Sequence, residues 1–99
     1  MLCKKYFMEK EIEQYLVKTV ECMGGKAFKF NSLSNRGVSD RIVCLPNGDT
    51  WFVELKSPTG RLSALQAVFA RDMAKLNQKY ALINSKEAVD RWACDLIKK

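Results

Sequence analysis

The sequence predicts an α/β domain ordered helix, three strands, helix, strand, helix, with a mixed four-stranded sheet flanked by helices. Three observations lead there. Segments whose apolar residues recur at helical spacing alternate with short runs of aromatic and β-branched residues. The strand-like runs are apolar on both faces near their middles, so each face must be covered. Turn signals at Gly24-Gly25, Pro46-Asn47-Gly48 and Ser57-Pro58-Thr59-Gly60 separate the segments.

From about Met8 to Met23, the residues Ile12, Leu16, Val17, Val20 and Met23 describe an amphipathic helix that Gly24-Gly25 ends. At ~100° per residue, Ile12, Leu16, Val20 and Met23 fall within an arc of about 80°. Glu9 lies inside that arc and Glu13 near its edge, whereas Glu11 and Glu21 fall outside. Each has an ordinary explanation: Glu9 would complement the dipole of a frayed first turn, and Glu13 would snorkel from the rim. Both are also candidates for a carboxylate aimed at a site, with Glu13 preferred. Lys26–Asn31 alternates as a first strand with Phe28 and Phe30 expected to face the core, and Asn31–Gly37 is a polar connection. Farther on, Ser63-Ala64-Leu65-Gln66 forms a capping box before Leu65, Phe69, Met73 and Leu76. Lys79–Ile83 reads as the fourth strand, and Ser85 caps a last helix with Val89, Trp92, Ala93 and Leu96 on one stripe.

Charge sits where the sheet should be apolar. Glu54 and Lys56, two apart in Trp51-Phe52-Val53-Glu54-Leu55-Lys56, share a strand face. Asp40 joins them only if Pro46-Asn47-Gly48 is a three-residue loop. Pro and Asn suit a type I turn, Gly48 suits the left-handed position that closes it, and Leu45 and Asp49 would flank the loop. Cys44 then faces Thr50, Ile42 faces Phe52, and Asp40 faces Glu54, with the two carboxylates roughly 5 Å apart at Cβ. A two-residue Asn-Gly turn would send Asp40 to the opposite face. Two carboxylates so close repel and lose hydration unless a proton or cation intervenes. Oxygen ligands without thiolate or imidazole favour a hard ion, Mg²⁺ or Mn²⁺. A solvated strand face carrying a structural Glu–Lys pair is the plain alternative.

Ninety-nine residues predict a single domain, residues 1–99, and a formal charge of +6 suggests a polyanionic partner. No run is apolar enough to span a bilayer and the first residues lack a secretion signal, so an intracellular, cytoplasmic protein with no membrane partner is expected. Cys3, Cys22, Cys44 and Cys94 have no zinc half-site spacing and are expected as buried free thiols. The lack of histidine excludes Ser-His-Asp and His-dependent chemistry.

These residues resemble the virus-type replication-repair nuclease family, VRR-NUC, of the PD-(D/E)xK or restriction-endonuclease-like superfamily. The resemblance covers roughly Glu9 to Lys86: a helix bearing a Glu, Gly37-Val38-Ser39-Asp40-Arg41, Val53-Glu54-Leu55-Lys56, and Leu62-Ser63-Ala64-Leu65-Gln66. It implies an αβββαβ core followed here by an extra C-terminal helix. It also implies a metal-dependent endonuclease in which Asp40, Glu54 and the backbone carbonyl of Leu55 bind Mg²⁺ or Mn²⁺. Lys56 would orient or help deprotonate the attacking water, Glu13 would bind metal through water or hold a second ion, and Gln66 matches the family's glutamine. The family's usual Pro before the Asp is Ser39 here, a change expected to cost little.

Small members of the family look like Holliday-junction resolvases that pair as homodimers, which implies branched or junction DNA as the partner. Lys29, Arg36, Arg41 and Arg61 are candidates for phosphate contacts, each equally explicable as a surface cation. The competing reading is a non-cleaving nucleic-acid-binding or replication/repair interaction domain on the same fold.

Overall fold

The computed structural model describes the backbone of residues 2–31 and 37–98 and the side chains of residues 8–31 and 37–98. Its elements run α1 (Leu2–Cys22), β1 (Lys26–Lys29), β2 (Arg41–Cys44), β3 (Thr50–Leu55), α2 (Ala64–Lys75), β4 (Lys79–Ile83) and α3 (Lys86–Ile97). The expected order holds throughout. The N-terminal helix begins six residues before Met8, because residues 2–7 contain no Gly or Pro to stop a helix and place Leu2, Cys3, Tyr6 and Phe7 at helical spacing.

Strand order is β1-β2-β3-β4, with the first three antiparallel and β4 parallel to β3. A parallel neighbour needs a crossover, and α2 supplies it. The β2–β3 loop has three residues. Leu45 N–H donates to the Asp49 carbonyl at 2.9 Å, Gly48 N–H donates to the Leu45 carbonyl at 3.0 Å, and Gly48 has φ +92°. Cys44 therefore faces Thr50 and Ile42 faces Phe52.

One sheet face, formed by Ala27, Val43, Val53, Leu55 and Ile83, is closed by Ile12, Leu16 and Val20 of α1 and by Val89, Trp92 and Ala93 of α3. The side chains that carry this stripe were the ones the helical spacing had marked. The opposite face holds an aromatic cluster of Phe30, Phe52 and Tyr80 under Phe69 of α2, with ring centroids 5.9 to 6.5 Å apart. This layer is thinner, since α2 contributes no buried residue. Phe28 shares the aromatic face but is 46% exposed, contrary to expectation, because β1 is the edge strand and α2 packs at the β4 side. Cys22, Cys44 and Cys94 are exposed thiols rather than buried ones, each lying just outside a packed stripe. Cys3 falls outside the described side chains.

Gly37 has φ +90°, and a Cβ there would lie 2.5 Å from the Leu65 carbonyl oxygen, whereas a Cβ on Gly48 would meet nothing within 4 Å. Gly48→Ala should thus cost only left-handed strain, roughly 1–2 kcal/mol. Gly37→Ala adds a backbone clash and should cost at least about 3 kcal/mol. Urea denaturation of the two variants checks the difference.

Candidate active site

The register that pairs Arg41 with Val53 sets Asp40 opposite Glu54 and Ser39 opposite Leu55 when extended. At that point the ladder opens. The N–H of Leu55 donates to Asp40 Oδ2 at 2.8 Å, so a carboxylate lies between the diverging strands. On its other edge β3 stays joined to β4, with Lys56 N–H donating to the Ile83 carbonyl at 3.0 Å. Ser39 is fully buried, its hydroxyl 3.3 Å from the Arg41 carbonyl.

Glu54 is only 1% exposed and lies on the aromatic face, two residues from Phe52. Burial pushes its carboxyl up to about 8, and a hydrogen bond with Asp40 and the charge of Asp40 push the same way. Lys56 opposes this and Glu9 adds to it more weakly. The Lys56 ammonium stands 3.9 Å from Glu54 Oε2, an ion pair at long range. Near neutral pH Glu54 is therefore held mostly in its protonated form.

Gln66 binds at both ends of its amide. Its Oε1 accepts the N–H of Ser63 at 2.9 Å, completing the capping box, and its Nε2 donates to Glu54 Oε2 at 3.0 Å. The cap orients the amide, so the helix start and the buried carboxylate are linked through one side chain. Helix capping and site geometry are not competing explanations for this residue.

Two expected site residues lie elsewhere. Glu13 pairs with Arg41 across α1 and β2, with Arg41 Nε 2.9 Å and NH2 2.8 Å from Glu13 Oε2. The remaining guanidinium nitrogen donates to the Ala27 carbonyl at 2.9 Å, so Arg41 is part of the helix–sheet packing and not a free phosphate contact. The acid of α1 whose charge reaches Glu54 is Glu9, one helical turn earlier. Helical angle alone had not separated the two, because the turn that overlies the open end of the sheet depends on how far α1 has slid along it. Lys29 and Arg61 are exposed, and Arg36 falls outside the described residues.

Tyr80 was missed by the sequence reading. It faces Phe52 across β3–β4, and the charges of Glu54 and Asp40 act on its phenol, which burial and those charges push up to about 12. Nothing in Lys79-Tyr80-Ala81 signals this, since the face of a strand reached through a helix depends on register with β3.

The donor set suits a hard cation. Two close carboxyls, with Glu54 driven towards its protonated form when no cation is bound, gain most from one, and no softer ligand accompanies them among the described residues. No third acidic, thiol or imidazole side chain closes the group among these residues, so backbone, water or substrate oxygens would complete the shell.

Comparison with solved structures decides the architecture: a chain described as "VRR_NUC domain" superposes with a TM-score of 0.80 at 26% identity, covering 85% of this chain and 91% of that one. The chain has the VRR-NUC fold. The resemblance read from the motifs thus extends in three dimensions over 85% of the chain. No protein-family model matches the VRR-NUC-like chain. A protein of Acyrthosiphon pisum secondary endosymbiont phage 1, described as "Putative nuclease p44", is 54% identical over 50 residues. That match spans half of this chain and 54% of the relative's length. Among the described residues no helix is long and apolar enough to cross a membrane.

Two outcomes follow from the charges. Unfolded, Glu54 titrates at its ordinary 4.5; folded, at about 8. In that interval the folded chain binds more protons, so this group's contribution to stability is full below pH 4.5 and falls as pH rises towards 8. Urea midpoints without metal should decline across that window, and Glu54→Gln should flatten the decline. Glu13→Ala should cost about 1–3 kcal/mol by stranding Arg41. Glu9→Gln should leave stability nearly unchanged, as measured in the same titrations.

Proposed function

We propose that this chain is a metal-dependent endodeoxyribonuclease that hydrolyses phosphodiesters in branched DNA, as a Holliday-junction-resolvase-like homodimer. The observation that carries this reading is the placement of Asp40 and Glu54 together at the opening of β2 from β3, Asp40 on the Leu55 N–H and Lys56 3.9 Å from Glu54. The VRR-NUC fold and the phage relative described as a nuclease support it. The net charge of +6 suits a polyanionic substrate.

Asp40 and Glu54 would hold Mg²⁺ or Mn²⁺, with the Leu55 carbonyl as a third oxygen. When bound, the ion would polarise the scissile phosphate and acidify the attacking water. Lys56 orients that water and stabilises the negative charge that grows on the phosphate. Gln66 fixes Glu54 Oε2 by donating to it, which limits rotation of the carboxylate. Glu9 takes the outer position first expected for Glu13, because Glu13 is neutralised by Arg41. Lys29 and Arg61, both exposed, contact backbone phosphates, as does Arg36.

Selection rests on DNA shape, since so short a chain has little surface for reading base edges. A homodimer follows from the chemistry: one site cuts one strand, and symmetric resolution of a junction needs two.

The test is cleavage of labelled four-way junction, flap, splayed and duplex DNA with Mg²⁺, Mn²⁺ or EDTA. The chain should cut the junction only with metal and sediment as a dimer. Asp40→Asn and Lys56→Ala should still bind DNA but cut at least ~10²-fold more slowly. Equal cutting by these variants overturns the site, binding without cutting by the unaltered chain overturns the enzyme, and a preference for flaps overturns the resolvase reading alone.

A further inference from the structure

The residue that the proposed chemistry does not use is Tyr80. Its hydroxyl oxygen is buried and has no hydrogen-bond partner among the described residues. A buried donor left unpaired costs about 1–3 kcal/mol, so such groups commonly serve a second state of the molecule. The ring is fixed: it lies opposite Phe52 in the β3–β4 register and stands 6.3 Å, centroid to centroid, from Phe69. Glu54 is two residues beyond Phe52 on the same face, directly opposite Leu82, and is therefore the diagonal neighbour of Tyr80. The charge of Glu54 acts on the phenol, so the two groups lie within electrostatic range of each other.

We propose that Tyr80 is a positioning residue of this site, its phenol O–H serving beside Gln66 as a donor that holds the ionised carboxylate of Glu54. This assignment rests on the metal-binding reading above. Glu54 Oε2 accepts from Gln66, and a carboxylate with two oxygens has acceptor capacity beyond that one bond. Tyr80 is a neutral donor on the same strand face as Glu54, with no partner among the described residues. Its own proton is secure at working pH, because burial and the facing carboxylates hold the phenol well above neutrality. Donors behind a metal-binding carboxylate orient it, and their loss typically weakens metal affinity 10–100-fold.

The experiment measures Mn²⁺ affinity by calorimetry and the Mn²⁺-induced rise in Tm for the unaltered chain, Tyr80→Phe, Phe69→Leu and Glu54→Gln. Tyr80→Phe keeps the ring and removes only the unpaired hydroxyl, so its Tm without metal should be equal or higher. Its Mn²⁺ affinity should fall about 10-fold or more. Phe69→Leu, which loosens the same aromatic cluster, should lower Tm and leave Mn²⁺ affinity nearly intact. Full Mn²⁺ affinity in Tyr80→Phe overturns the assignment while the metal site stands. Equal weakening by Phe69→Leu also overturns it, in favour of packing. If the unaltered chain and Glu54→Gln bind Mn²⁺ equally, the metal-binding reading fails and Tyr80 falls with it.

Discussion

The approach of Asp40 to Glu54 at the end of the β2–β3 ladder is the constraint around which the surrounding structure is arranged. It exists because the β2–β3 hairpin turns in three residues, with Gly48 in the left-handed region. One residue fewer would invert the alternation and place Asp40 among the packed side chains under α1. The same register puts Leu55 N–H where the Asp40 carboxylate can take it, so the end of the β ladder and the start of the site are one event. Two carboxyls this close are unfavourable in a folded chain unless a proton or a cation lies with them.

Neighbouring elements restrain the pair from several directions. The amide of Gln66, oriented by the cap of α2, reaches Glu54; the backbone of β3 holds Asp40; Lys56 supplies the nearest cation. Gly37 permits the chain to pass close to the first turn of α2, where a Cβ would strike the Leu65 carbonyl. Since α2 is also the crossover to β4, the position of one helix sets both the parallel strand and the hydrogen bond to the buried acid. The Glu13–Arg41 pair performs a different task, tying α1 to the far side of β2.

The two faces of the sheet differ in purpose. Under α1 and α3 the packing is aliphatic and closed, and Val43, Val53, Leu16, Val20 and Val89 are fully buried. Under α2 the layer is aromatic and thin, and Phe28, Leu65 and Leu82 are left about half exposed around the acidic pair. A rigid face behind and an open face in front is an arrangement suited to an extended ligand, with the carboxylates held by the rigid part.

Local patterning by itself determined the element order, the helix stripes and both serine caps, and it narrowed the hairpin to two registers, of which the three-residue loop brings Asp40 to Glu54. Those are short-range properties: helical spacing, strand parity and turn chemistry act within a few residues of the chain. The motif also named Lys56 and Gln66 as neighbours of the pair. Only the tertiary structure decided that the charge of Glu9 rather than of Glu13 reaches Glu54, that Arg41 is held by Glu13 and Ala27, that Phe28 lies open on an edge strand, and that Tyr80 shares the sheet face of Glu54. Each of these depends on how far one element slides or which edge it covers when it packs on another, a displacement of a single helical turn or one strand step. Such displacements leave the periodicity of the sequence unchanged, so they become visible only when the elements are assembled.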